Sequence, residues 1–247
     1  MTKNKSDKRV ALVLGGSGGI GKSVIDKLVE QDYAVAVHYS ANKEKAESLV
    51  DEIINNGGEA LAVGGDVADE AIMSQLFDNV ISAFGGIDVV VNTAGIMKLS
   101  PLSTLNLSDF DQIQRINVRG TFVVSQQAAL KLRKGGSLIN FSTSVTRTSF
   151  PNYSAYAASK AAVESLTLIL ARELRGKDIT VNTVAPGPTA TPLFLSGKDE
   201  ATITHLSQAT PLERLGNPED IAETVAFLAG PARWVNGQII FTNGGLA

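Results

Sequence analysis

Residues 10–31 read VALVLGGSGGIGKSVIDKLVEQ. Apolar residues without polar alternation, VALVL, describe a strand buried on both faces. Glycines crowd the next positions, and apolar residues then recur at helical spacing over Ile20–Gln31. Strand, tight turn and helix make one crossover unit, and the remaining chain repeats that alternation. Further apolar runs stand at AVAVHY (34–39), ALAVGGD (60–66), IDVVVN (87–92), SLINF (137–141), ITVNTV (179–184) and QIIF (238–241), with helical spacing in NKEKAESLVDEIINN after the second. Right-handed crossovers set helices on both faces, so these runs predict an α/β fold: a doubly wound parallel sheet of about seven strands.

The composition fits that expectation. With 44% hydrophobic and 19% charged residues among 247 and a mean hydropathy of +0.09, the chain has material for one large core. No Pro- or Gly-rich linker divides it, so one domain over 9–247 is expected, with residues 1–8 as a flexible tail. Residues 188–210 are the most irregular excursion, a segment expected to cover a substrate, with a plain surface loop as the alternative. The absence of cysteine excludes disulfides and thiol chemistry and suits a reducing cytoplasm. A net charge of −3 and a pI near 5.5 provide no concentrated basic face for a nucleic acid. No uncharged apolar run reaches the ~18 residues that a membrane helix needs. No metal site is expected.

The glycine turn fits two patterns at once: Gly16, Gly18 and Gly21 as G-x-G-x-x-G, and Gly15, Gly19 and Gly21 as G-x-x-x-G-x-G. Either lets the backbone approach a pyrophosphate, whose charge rests on the N-terminus of the following helix. An acid at the end of the second strand would hold a ribose hydroxyl. Here Tyr39, Ser40, Ala41, Asn42 and Lys43 precede the first carboxylate, Glu44. Without that acid a 2′-phosphate is not repelled, and Ser40, Asn42 and Lys43 supply donors, so NADP(H) is expected over NAD(H). Asp66 stands either beside an adenine amino group or as a helix cap. Asn92 ends a strand at the carboxyl edge of the sheet, where such folds bind ligands.

The motifs GGSGGIG (15–21), DV (66–67), NTAG (92–95), INVRGTF (116–122), YAASK (156–160), NTVAPG (182–187) and PLERLGNPEDIA with WVNGQIIFTNGG near the end resemble the short-chain dehydrogenase/reductase family over nearly the whole length. The resemblance implies a single-domain Rossmann-type sheet and hydride transfer between a nicotinamide and a small-molecule ketone or secondary alcohol, as in 3-oxoacyl-carrier-protein and polyhydroxynaphthalene reductases. It assigns cofactor contacts to Gly15, Ser17, Gly19, Ile20 and Gly21, to Tyr39, Ser40 and Asn42, and to Asp66 and Val67. Asn92, Ala94 and Gly95 follow, then Tyr156 and Lys160, and finally Pro186, Gly187, Thr189 and Thr191, the last toward the nicotinamide carboxamide. A homo-tetramer is implied as well. Four positions depart from the family pattern: Leu14, Gly18, Thr93 and Thr189. Gly18 stands where many NADP-dependent members carry a basic residue.

Tyr156 and Lys160 are four apart, on one face of a helix if Ser154 caps it. A phenol titrates at about 10, too high for acid–base work at neutral pH. A cation at about 4 Å and an effective ε near 20 contributes roughly 4 kcal/mol, about three pKa units, so Lys160 is expected to bring Tyr156 near neutrality. Tyr153 lies too far from Lys160 along the helix for the same effect. By resemblance Lys160 also bonds the nicotinamide ribose, and Asn117 holds a water in a proton relay, with a buried amide satisfying backbone groups as the alternative. The family's carbonyl-contacting hydroxyl falls thirteen positions before the tyrosine and three after the strand Asn140, which gives Thr143 both ways. A one-residue shortening of the following loop would substitute Ser144. Lys134 and Lys177 are candidates for attracting an acidic carrier protein. A cofactor-binding sensor or scaffold without catalysis is the competing functional class.

Overall fold

Each apolar run forms a strand: β1 (Val10–Leu14), β2 (Ala34–Tyr39), β3 (Ala60–Gly64), β4 (Ile87–Asn92), β5 (Leu132–Phe141), β6 (Thr180–Pro186) and β7 (Ile239–Thr242). The computed structural model describes residues 8–247, so the expected tail lies outside the described residues except for Lys8, which pairs with Asp32 at 2.6 Å. All strands pair in parallel in the order β3-β2-β1-β4-β5-β6-β7. The helices are α1 (Gly19–Glu30), α2 (Lys43–Asn55), α3 (Glu70–Phe84), α4 (Leu107–Ile113), α5 (Gly120–Lys131), α6 (Val145–Thr148), α7 (Ser154–Glu173), α8 (Pro192–Leu195), α9 (Glu200–Gln208) and α10 (Pro218–Ala229). A π-helical turn, Gln114–Arg119, joins α4 to α5.

Two cores follow from the alternation of side chains across each strand. On one face Val24, Ile25 and Leu28 of α1 and Ile221, Val225 and Leu228 of α10 pack with Val13, Val35 and Val91. On the other Met73, Phe77 and Val80 of α3 and Val123 and Val124 of α5 pack with Leu12, Val90 and Leu138. Burial on both sides is why the runs lack polar alternation. Chain order reverses between β1 and β4, and at this switch point the carboxyl ends of the strands open a crevice.

Several boundaries differ from expectation. β3 stops at Gly64, so Asp66 stands beyond the strand, where its carboxylate accepts from the Ala68 N–H at 2.9 Å and turns the chain. β5 starts at Leu132 with a register shift against β4 between Ile87 and Val89; Gly135, at φ +83°, and Gly136 interrupt the apolar pattern that would have revealed it. Helix α1 begins one residue early, at Gly19. Residues 188–210 are partly helical, with Thr191 and Asp199 capping α8 and α9 through bonds from Phe194 N at 3.2 Å and Thr202 N at 2.8 Å. Ser154 does not cap α7; it is the first helical residue, and the cap position, Tyr153, makes no side-chain bond.

Candidate active site

The glycine turn is closed to any larger residue. Gly15 holds φ +75°, and a Cβ there would stand 2.8 Å from Thr93 Oγ1 and 2.9 Å from Ala94 N. A Cβ on Gly21 would strike the Gly15 carbonyl oxygen. Helix α1 then starts from Gly18, with no side-chain cap and no acid in its first turn. Its positive end therefore faces the crevice without a competing protein oxygen. Two family departures compensate locally, because the Thr93 hydroxyl donates to the Leu14 carbonyl at 2.7 Å and joins the ends of β4 and β1.

A residue that sequence reasoning passed over braces this turn. His38, buried at the end of β2, accepts from Gly15 N through Nδ1 at 3.1 Å and bonds the Gly65 carbonyl through Nε2 at 3.0 Å. Burial holds its pKa down at about 4, so the ring stays neutral with Nδ1 free to accept. A histidine inside an otherwise apolar strand beside a glycine turn was the available signal.

Beyond β2, Ser40, Asn42 and Lys43 are exposed. Asn42 spends its carbonyl on capping α2, accepting from Lys45 N at 3.2 Å, and Lys43 pairs with Glu47 at 3.2 Å. Tyr39 lies across Gly64, whose missing Cβ makes room for the ring. Asp66 is not a helix cap; Asp69 fills that role for α3, accepting from Ile72 N at 2.9 Å. Asp66 instead accepts from Arg115 at 2.5 Å, and that guanidinium holds its carboxyl below the usual range. Val67 is buried against Gly120 at the start of α5.

One cavity brings together Ile20, Gly95, Thr143, Tyr156, Lys160, Pro186, Gly187, Thr189 and Thr191. Gly19 touches it indirectly, since a Cβ there would lie 3.0 Å from Thr191 Cγ2. Tyr39, Ser40, Asn42, Asp66 and Val67 lie outside this cavity, toward the ends of β2 and β3. Asn92 is buried at the end of β4, donating to Thr121 Oγ1 at 3.3 Å. Ser17 lies in the glycine turn, and Ala94 follows β4 with its backbone N 2.9 Å from where a Gly15 Cβ would stand; neither lines this cavity.

Helix α7 sets Tyr156 and Lys160 one turn apart. Lys160 Nζ donates to the Phe141 carbonyl at 2.9 Å and stands 5.9 Å from the centre of the Tyr156 ring. The expected lowering of the phenol is not what the geometry produces. Burial pushes Tyr156 up to about 12, with Tyr153 adding to the rise and a hydrogen bond with Thr143 opposing it. Burial likewise pulls Lys160 down to about 8. The reason is that the ammonium is held at the end of β5 and over the ring, while both charged forms lose their water.

Thr143 and Ser144 both line the cavity but are bonded differently. The Ser144 hydroxyl donates to the Ala185 carbonyl at 3.4 Å and accepts from Asn243 Nδ2 at 3.1 Å. Thr143 Oγ1 accepts from Val145 N at 3.3 Å and meets Tyr156. Its loop is tied down by Glu164: Ser142 Oγ and Thr146 Oγ1 donate to one oxygen of that carboxylate at 2.5 and 2.8 Å. Glu164 is a further residue sequence reasoning missed, although its position four after Lys160 places it on the same helix face.

Asn117, in the π-helical turn, is fully buried. Its Oδ1 accepts from Ile96 N at 2.9 Å, while its Nδ2 donates to the Ile96 carbonyl at 2.9 Å and to Ser159 Oγ at 3.0 Å. Both side-chain donors are thus spent on protein, and the alternative reading, an amide satisfying backbone groups, describes the contacts.

A glycine turn at the switch point of an all-parallel sheet, opening into a cavity shared with a tyrosine and a lysine, is the architecture of Rossmann-type oxidoreductases. The family model described as enoyl-(acyl carrier protein) reductase matches residues 15–247. A short-chain type dehydrogenase/reductase of Picea abies is 44% identical over 96% of this chain and 92% of its own length. The 3-oxoacyl-[acyl-carrier-protein] reductase FabG of Staphylococcus aureus is 40% identical, covering 96% and 97%. Among solved structures, a short-chain dehydrogenase from Burkholderia cenocepacia in complex with NADP superposes with a TM-score of 0.90 at 37% identity over 97% of each chain. The chain belongs to the short-chain dehydrogenase/reductase family and is an oxidoreductase acting on carbonyl and alcohol groups. Among the described residues no helix is long and apolar enough to cross a membrane.

Proposed function

We propose that this enzyme is an NADP(H)-dependent reductase of ketones, with Tyr156 as proton donor to the carbonyl oxygen. The observation that carries the reading is the convergence of Tyr156, Thr143 and Lys160 on one cavity, with the Lys160 ammonium 5.9 Å from the centre of the Tyr156 ring. A phenol held near 12 is fully protonated at neutral pH, which suits an acid in the direction of carbonyl reduction. Thr143 would hold the same carbonyl oxygen with its hydroxyl, and Lys160 would favour the negative charge left on the phenol. Asn117 would position the segment around Ile96 against α7.

The chain fits a dinucleotide. The turn at Gly15 and Gly21 admits no Cβ, and α1 offers Gly19 and Ile20 at an uncapped N-terminus. Ser40 and Lys43, with no acid before Glu44, suit a 2′-phosphate, and Thr191 and Lys160, which line one cavity, would hold the nicotinamide half. When bound, the nicotinamide supplies the hydride that completes the reduction. Residues 188–210 would cover the substrate, since Leu193, Phe194 and Leu206 reach the cavity. The reading includes a homo-tetramer, for which the exposed Phe122, Leu130, Leu168, Ile169 and Trp234 provide apolar surface. A cytoplasmic setting suits the cysteine-free sequence.

The test is a panel of ketones and secondary alcohols with NADPH and NADH, together with the dissociation constant of each cofactor. Turnover with tighter NADPH binding is expected; tighter NADH binding overturns the cofactor assignment, and binding without any turnover supports the sensor class instead. For the hydroxyls, Thr143→Val is expected to lower kcat on the order of 100-fold, as loss of one donor to a reacting oxygen does. Ser144→Ala, whose partners are Ala185 and Asn243, should cost far less. The reverse ranking assigns the contact to Ser144.

A further inference from the structure

The cavity lining carries hydroxyls as well as apolar groups, Ser142, Thr148, Thr189 and Thr191 beside Thr143, Ser144 and Tyr156, but Lys160 is the one charged side chain lining it among the described residues. Away from the glycine turn the wall is mostly apolar, with Val145, Phe150, Tyr153, Phe194, Leu206 and Leu246, and it includes one unpartnered buried hydroxyl, that of Thr148. Three rings stand in series along this wall. Tyr153 stands edge-on to Tyr156, centroids 6.4 Å apart at 64°, and Phe150 is tilted against Tyr153 at 6.2 Å and 56°. Such a run presents ring edges and faces at the angles that another aromatic ring prefers.

Charge argues in the same direction. A carboxylate or phosphate on the substrate body would lie against this apolar wall unpaired, at a large desolvation cost. The cations nearest the cavity are committed elsewhere: Lys98 pairs with Asp109 at 2.6 Å, Arg147 lies 4.0 Å over the Phe241 ring, and Lys198 donates to the Phe194 carbonyl at 2.6 Å. Lys134 and Lys177, the candidates for attracting a carrier protein, are at the opposite edge of the sheet. Lys134 is near the start of β5, and Lys177 donates to Ala129 O at 3.1 Å near the end of α5. The cavity opens at the carboxyl ends of the strands, so neither lysine serves its mouth. A straight acyl chain would tolerate the apolar wall, but it loses rotamer freedom at every bond it immobilises, whereas a fused ring arrives rigid.

Resting on the reading of this enzyme as a ketone reductase, we propose that its substrate is an uncharged ketone borne on an aromatic or fused-ring body, seated against Phe150 and selected by the ring of Tyr153. Tyr153 is then a specificity residue, distinct from Tyr156, and acts through contact area and ring geometry.

The experiment compares kcat/KM with NADPH for tetralone, for a straight-chain decanone of equal carbon count, and for the acetoacetyl thioester of N-acetylcysteamine as a minimal carrier substrate. Tetralone is expected to lead by about tenfold, the size of one favourable aromatic contact. Tyr153→Ala should erase that lead through KM, and Tyr153→Phe, which keeps the ring, should retain most of it. A lead for the decanone or the thioester, or an undiminished tetralone preference in Tyr153→Ala, overturns the proposal. Calorimetric titration of the product alcohol, tetralol, separates the two readings. Tetralol binding that weakens in Tyr153→Ala, without turnover of any ketone, sinks the reductase reading and sustains the ring site; absence of both binding and turnover sinks both.

Discussion

Tyr156→Phe will lower ketone reduction on the order of 1,000-fold while leaving the dissociation constant of the cofactor essentially unchanged. The variant removes one oxygen from a ring that keeps its packing against Tyr153 and beneath Lys160. Positioned proton transfer contributes 10²–10⁴ to typical enzymes, and no other phenol in the cavity is placed to replace it. The Tyr153 ring is over 6 Å away, centre to centre, at 6.4 Å. The pH profile of the unaltered enzyme sharpens the test. Tyr156 stays protonated up to about 12, so the acid itself imposes no loss across the neutral range. Lys160, held down to about 8, carries its charge below that value and sheds it above. Reduction is therefore expected to be flat at lower pH and to decline as pH rises through about 8. Stopped-flow or steady-state rates against pH check this, and a Phe variant that retains turnover sinks the role of Tyr156.

The second large effect is at the glycine turn. Gly21→Ala will weaken cofactor binding by about 100-fold, because the new methyl meets the Gly15 carbonyl and the Gly16 backbone, neither of which can rotate away. Overpacking against backbone costs about 1–3 kcal/mol, and roughly 2.8 kcal/mol corresponds to 100-fold. Cofactor titration by fluorescence, with thermal melting as a control for folding, reads the result. Wild-type affinity in this variant means the turn does not form the cofactor cradle.

Much of this molecule was legible in residue order. VALVL, AVAVHY and IDVVVN became β1, β2 and β4 with unaltered ends, because strands buried on both faces write their limits as apolar runs. The Tyr156–Lys160 spacing placed both side chains in one cavity for the same kind of reason, a helical period. What was not legible depends on direction and distance in space. The Lys160 ammonium donates to the Phe141 carbonyl, and burial of the phenol, which no spacing discloses, raises Tyr156 where a neighbouring cation was expected to lower it. His38 and Glu164 brace the site through partners 23 and 22 residues away, beyond any local pattern. Gly135 and Gly136 hid the first half of β5, since an interrupted apolar run does not read as a strand. Asn117 matched a motif, but only its neighbours Ile96 and Ser159 disclose what its amide holds.

Thr191 begins the excursion over the cavity by packing on Gly19 and capping α8, and buried Thr210 closes it with bonds to the Ser207 and Arg214 carbonyls. One end is thus fastened at the glycine turn and the other to the carbonyls on either side of Thr210. On the proposed reading, Leu193, Phe194 and Leu206 are then the positions of this stretch at which a different shape of ketone would be accommodated, because they face the cavity while the two threonines hold the ends in place.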